Sequence, residues 1–255
     1  MTPAERARKL LKVYCIDEPE KLVLEDIAFA ENLIVDEENM SNCLGKIQFK
    51  NDIALIKLNS NINDNGQKRF TLAHEMGHFF NEKEIRRSGI YKCTFSDINN
   101  YNPNKKFETD ANEFASEILM PTSWFMNLTK KRRLNFELLK EAASYFDVSL
   151  TASAIKYVKH GAYPCAVVLS KNGFVEWSFI NEAFPYSWLK KGYKVRKESS
   201  AFDYFNGQEM QLCDDLVPIH TWFSDDYNCP HIGELNEQNV AMPSYNSVLT
   251  ILWEC

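Results

Sequence analysis

Two histidines flank a glutamate in His74-Glu75-Met76-Gly77-His78, and this short run constrains the chain more than any other stretch. On a helix, positions i and i+4 lie one turn apart on one face, so both imidazoles can reach one tetrahedral Zn²⁺ at ~2.0–2.1 Å. The periodicity predicts such a helix from near Lys68 through Phe80, with Phe70, Ala73, Gly77 and Phe80 as the apolar face that packs it. Glu75 would adjoin the metal without binding it. There it can take a proton from a water that the metal acidifies to a pKa of ~7, and pass that proton to a leaving amine.

The ordinary alternative is a surface helix that happens to carry two histidines. Two features weigh against it. The chain has only five histidines and spends two of them here. Gly77 also sits mid-helix, at a cost of about 1 kcal/mol relative to Ala, which implies that something approaches closely at that point.

A catalytic zinc takes a third protein ligand and keeps a fourth position open. The nearest supply is Glu108-Thr109-Asp110-Ala111-Asn112-Glu113-Phe114-Ala115-Ser116-Glu117-Ile118-Leu119, a predicted helix over residues 107–119 that stops at Pro121. Ala111, Phe114, Ala115, Ile118 and Leu119 define its inward stripe. Glu108 lies on the upstream extension of that stripe and shares its side with Asn112. Asp110 is rotated about 200° from Glu108, and Glu113 and Glu117 read as a solvated flank. A carboxylate that faces the interior must be paired or bound to metal, which favours Glu108.

Together the segments Arg69–His78, Glu108–Ala115 and Leu119-Met120-Pro121 resemble the ImmA/IrrE family of zinc metallopeptidases. The resemblance is firm over roughly residues 1–160 and thinner beyond. It implies a gluzincin-like site in which His74, His78 and Glu108 hold zinc and Glu75 is the base. It also implies site-specific cleavage of a helix-turn-helix transcriptional repressor. Asp110 stands where the family commonly has the longer Glu; Asp110 and Asn112 are read as residues that steady a ligand rather than bind the ion.

The rest of the sequence sets the frame. With 45% hydrophobic residues the chain has ample material for a core, and its longest apolar runs fall far short of the ~18 residues that a bilayer span requires. The first residues carry charges where a secretion signal needs an apolar stretch, so a cytoplasmic location is expected. Seven scattered cysteines without a CxxC pair read as free thiols. Residues 1–160 balance 23 basic against 23 acidic side chains, whereas residues 161–255 hold 6 and 12 and account for the whole charge of −6. Direct nucleic-acid binding by that acidic part is not expected, since phosphate contacts need cations.

Thr2-Pro3-Ala4-Glu5 is a helix start with a capping box, and Ala7, Leu10, Leu11 and Tyr14 then form one stripe. A second helix is predicted from Pro19 to about Asn32, and short strands at Ile47–Phe49 and Ile53–Leu58 flank a turn at Lys50-Asn51-Asp52. Helices are predicted at 135–146 and 149–159. Strands are predicted at Cys165–Leu169, Phe174–Ile180, Leu216–Phe223 and Val248–Trp253. The fold class expected is α+β: a zincin-like metallopeptidase domain over 1–128, a helical, helix-turn-helix-like appendage over 129–160, and a β-rich sensor or partner-binding domain over 161–255. The span Leu138–Val158 follows Lys130-Lys131-Arg132-Arg133, and a helical hairpin with a solvated basic lead-in is preferred there over a DNA reader. His160, His220 and His231 read as isolated surface or satisfied histidines. The function expected is zinc-dependent hydrolysis of a peptide bond in a protein substrate, a DNA-binding repressor. The rival is a regulatory binding protein that uses the same fold to hold a repressor with little or no proteolysis.

Overall fold

The computed structural model describes residues 1–50, 53–81, 90–93, 106–210, 215–229 and 232–254. The chain is a mixed α+β protein whose contacts divide it into two compact units. The first comprises Met1–Phe125 with Ala143–Ser149, and the second Met126–Ala142 with Leu150–Cys255. No helix among the described residues is long and apolar enough to cross a membrane.

The first unit opens with α1 (Pro3–Val13), where Thr2 Oγ1 accepts from the Glu5 N–H and Glu5 Oε2 accepts from the Thr2 N–H, closing the expected capping box. The second predicted helix is broken. A 3₁₀ turn at Pro19–Lys21 precedes α2 (Leu24–Ala30), and Leu22 and Leu24 are both buried. Two residues apart on one helix they would point about 200° away from each other; the break lets both enter the core.

A four-stranded sheet follows, in the order β1 (Leu33–Glu38), β3 (Ile53–Asn59), β2 (Gly45–Lys50), β4 (Ile90–Cys93). β1 runs parallel to β3, while β2 pairs antiparallel with β3 and with β4. The β2–β3 register sets Lys50 opposite Ile53, so the two strands form the predicted hairpin; residues 51–52 of its turn lie outside the described residues. Two helices, α3 (Asn65–Asn81) and α4 (Lys106–Leu119), pack with this sheet around a core that includes Ile47, Ile56, Leu72, Met76, Phe114 and Ile118. Arg6 donates to the Phe80 carbonyl (2.8 Å) at the end of α3, and Arg8 donates to Glu117 Oε1 (2.8 Å) on α4. α5 (Thr122–Thr129) and α6 (Phe136–Phe146) come next.

In the second unit α7 (Leu150–His160) leads into a five-stranded antiparallel sheet. Its order is β6 (Phe174–Ile180), β5 (Cys165–Lys171), β9 (Ser247–Glu254), β8 (Glu234–Met242), β7 (Asp215–Pro218). Short helices α8 (Ser200–Phe205) and α9 (His220–Phe223) complete it. The run predicted as one strand at Leu216–Phe223 is therefore half strand and half helix. Pro218 has no N–H for the ladder and ends β7, and the helical turn that follows buries Trp222 and Phe223. Trp253 is likewise buried, as core of this unit.

Candidate metal centre

Helix α3 is buried along ten consecutive residues, Thr71–Phe80, so the site sits inside the first unit rather than on one amphipathic face. Burial all round requires α3 to be enclosed by the sheet on one side and by α4 on another. Gly77 makes the second contact. A Cβ there would stand 2.9 Å from both the Cα and the carbonyl oxygen of Ala111, so the close approach anticipated at this glycine is the backbone of α4. One turn before Ala111 lies Glu108, and the contact at Gly77 is what brings that carboxylate to the histidines.

The three donors converge. His74 Nε2 and His78 Nε2 are 3.1 Å apart, and Glu108 Oε2 is 3.2 Å from the first and 3.6 Å from the second. Donors held ~2.0–2.1 Å from one tetrahedral ion stand about 3.3 Å from each other, so this triangle has the size such an ion needs. The two rings meet edge to face, 87° apart in plane. Burial pushes the Glu108 carboxyl up, but the His74 and His78 rings outweigh it and hold the group well below the ordinary carboxylate range. It is an ionised, acceptor-only group there, as a metal ligand has to be. Among the described residues, His74, His78 and Glu108 are the group that can hold a metal ion.

Around the triangle, His74 Nδ1 is 2.9 Å from Asn112 Oδ1. Asp110 enters through its backbone, whose carbonyl accepts from Asn81 Nδ2 at 3.0 Å. Glu75 is fully buried, and its carboxylate lies against the start of β2, where a Cβ on Gly45 would come within 2.6 Å of Oε1. Gly45 was not singled out from sequence; its only signal there is a glycine leading an apolar strand. Cys43 donates its thiol to the Gly45 carbonyl (2.7 Å), and Asn59 Nδ2 donates to the Cys43 carbonyl (2.7 Å), which pins the approach to β2. Glu117 departs from its solvated reading. It is 3% exposed, with Arg8 and the Thr122 hydroxyl and N–H as donors, so it ties α1 and α5 to α4. Glu113 is exposed as expected, and His160 and His220 lie at the surface, while His231 is outside the described residues.

Residues 44–156 match the family Peptidase_M78, described as the IrrE N-terminal-like domain, and both motifs fall inside that span. Over this segment the chain is similar to an M78 peptidase domain. Helix α1, whose arginines reach α3 and α4, lies before the matched span, so the first unit begins ahead of that span, which itself runs on into residues 126–142 and 150–156 of the second. No curated protein matches the chain. Among solved structures, a Mycobacterium tuberculosis transcriptional regulator is similar in fold, with a TM-score of 0.60 at 12% identity, over 99% of this chain and 75% of that one.

Proposed function

We propose that the protein is a zinc metallopeptidase that hydrolyses a peptide bond in a protein substrate, and that the substrate is a helix-turn-helix transcriptional repressor. The observation that carries the reading is the convergence on one point of Glu108 from α4 with His74 and His78 from α3, the helix that also holds Glu75. An ion bound there supplies Lewis acidity, polarising a scissile carbonyl and acidifying a water. Glu75 would take one proton from that water as its oxygen bonds to the scissile carbonyl carbon, and would return the proton to the amide nitrogen as the C–N bond breaks, giving a carboxylic acid and a neutral amine. Its burial keeps competing water away from the carboxylate, and Gly45 leaves it room at the foot of β2. Zinc is preferred over harder cations because two imidazoles with one carboxylate suit a tetrahedral borderline ion. The acidic excess of residues 161–255 suits a basic, DNA-binding partner.

The test pairs the wild type and Glu75→Gln with a candidate substrate, any helix-turn-helix repressor encoded in a neighbouring reading frame. The variant should keep its zinc and lose about 10²–10⁴-fold in cleavage. Cleavage at the normal rate would remove Glu75 from the mechanism. Tight binding by the wild type without any cleavage would favour the regulatory-binder reading instead.

A further inference from the structure

We propose that Asn112 is a positioning residue, a neutral acceptor that fixes the tautomer of His74 and thereby commits Nε2 to the metal; this rests on the zinc reading above. A neutral imidazole carries one N–H, and the nitrogen that holds it cannot bind an ion. Asn112 Oδ1 stands 2.9 Å from His74 Nδ1, on the far side of the ring from Glu108 and His78. Because the amide oxygen only accepts, the proton sits on Nδ1 and the Nε2 lone pair faces the centre of the triangle.

The same helix supplies both groups. Asn112 follows Glu108 by four residues on α4, so one face of α4 gives a carboxylate to the ion and an amide to its ligand. The close packing of Gly77 on Ala111 holds that face at the right distance from α3. An amide in this place differs from a carboxylate in one respect that matters. It orients the ring without adding negative charge, so less charge is pushed through the imidazole onto the ion, which stays the stronger Lewis acid.

Two variants separate this role from simple packing. Asn112→Leu keeps the volume and removes the acceptor, while Asn112→Asp keeps an acceptor that cannot turn round to donate. Zinc affinity is read by competition with a chelating dye, and the His74 tautomer by long-range ¹H–¹⁵N spectra of the labelled protein. The wild type should show His74 protonated at Nδ1. Asn112→Leu should lose that single tautomer and bind zinc about 10–100-fold more weakly. Asn112→Asp should recover the tautomer and bind at least as tightly as the wild type. A wild-type His74 bare at Nδ1, undiminished zinc affinity in Asn112→Leu, or failure of Asn112→Asp to restore either readout would overturn the proposal. Neither readout involves cleavage. A protein that binds zinc through this pair yet cuts nothing would end the peptidase reading and leave the positioning role intact, whereas a wild type that takes up no zinc would end both.

Discussion

Gly45 and Gly77 mark close approaches on two sides of the site, and they fail in different ways when a methyl group is added. At Gly45 the new Cβ would meet Glu75 Oε1 at 2.6 Å and the Thr71 methyl at 2.8 Å. The obstruction falls on Glu75, the proposed base, and leaves His74, His78 and Glu108 untouched. Gly45→Ala should therefore retain zinc while cleavage falls by roughly 10²-fold, the usual result of moving a reacting group by about 1 Å. At Gly77 the obstruction is backbone, the Cα and carbonyl of Ala111, which cannot swing aside as a side chain can. Gly77→Ala gains about 1 kcal/mol in helix propensity, but overpacking costs about 1–3 kcal/mol and drives α4 away with Glu108 on it. Its zinc affinity and melting temperature should both drop. Zinc titration of the two variants checks the division: full metal content in Gly77→Ala, or loss of metal in Gly45→Ala, would refute it. The pairing of His74 with His78 was legible in sequence because a four-residue spacing sets both on one helix face, and Glu108 was legible because it extends the apolar stripe of its own helix. Gly45 was not, because its importance comes from a strand far from Glu75 in the chain.

At the scale of elements, legibility followed the apolar pattern and stopped where polar groups are buried. β5, β6 and β9 alternate or run apolar, and each was placed within two residues. β8 was missed because its inward row is Leu235, Glu237 and Asn239, which reads as solvent-facing. Those polar groups are admitted because they are satisfied: Glu237 accepts from Trp222 Nε1, the Ser199 hydroxyl, the Ser200 N–H and Asn239 Nδ2, and Asn239 in turn accepts from Thr250. β1 was missed for the opposite reason, since it is an edge strand with one buried residue, Leu33, and an acidic end. A third polar anchor, Asp226, accepts three backbone N–H groups from Ser187, Trp188 and Asn228. Burial pushes its carboxyl up, but these three donors outweigh burial and lower it below the ordinary value of 3.8. A depressed carboxylate contributes stability above its unfolded pKa and loses it as pH falls through the folded one. Asp226→Asn sets an N–H₂ group against one side of that cradle. It should cost about 1–3 kcal/mol at neutral pH, and the gap from wild type should narrow as pH falls below 3.8. Denaturant melts at both pH values measure this; a pH-independent gap would show that the carboxylate's charge contributes nothing.

Across the whole molecule, the chemistry and the larger sheet belong to different units. His74, Glu75, His78 and Glu108 all lie within Met1–Phe125, and the five-stranded sheet lies within Leu150–Cys255. The second unit has its own core, built on Val168, Val217, Trp222, Phe223 and Leu252, and burial pushes its thiol Cys165 up to about 12. Metal binding should then stabilise one unit alone. A ligand that binds only the folded form adds RT ln(1 + [L]/Kd), about 2.7 kcal/mol when free zinc is a hundred times Kd. Backbone amides of α3 and α4 that exchange only when the first unit opens should therefore slow by about 100-fold on adding zinc. Amides of the β5–β9 and β8–β9 ladders should exchange at the same rate with and without it. Glu108→Ala, with one donor gone, should abolish most of the slowing in α3 and change nothing in the ladders. Hydrogen exchange read by mass spectrometry decides between the outcomes. Equal slowing in both units would mean that the second unit takes part in holding the metal, and unchanged α3 amides would mean that the triangle of His74, His78 and Glu108 holds none.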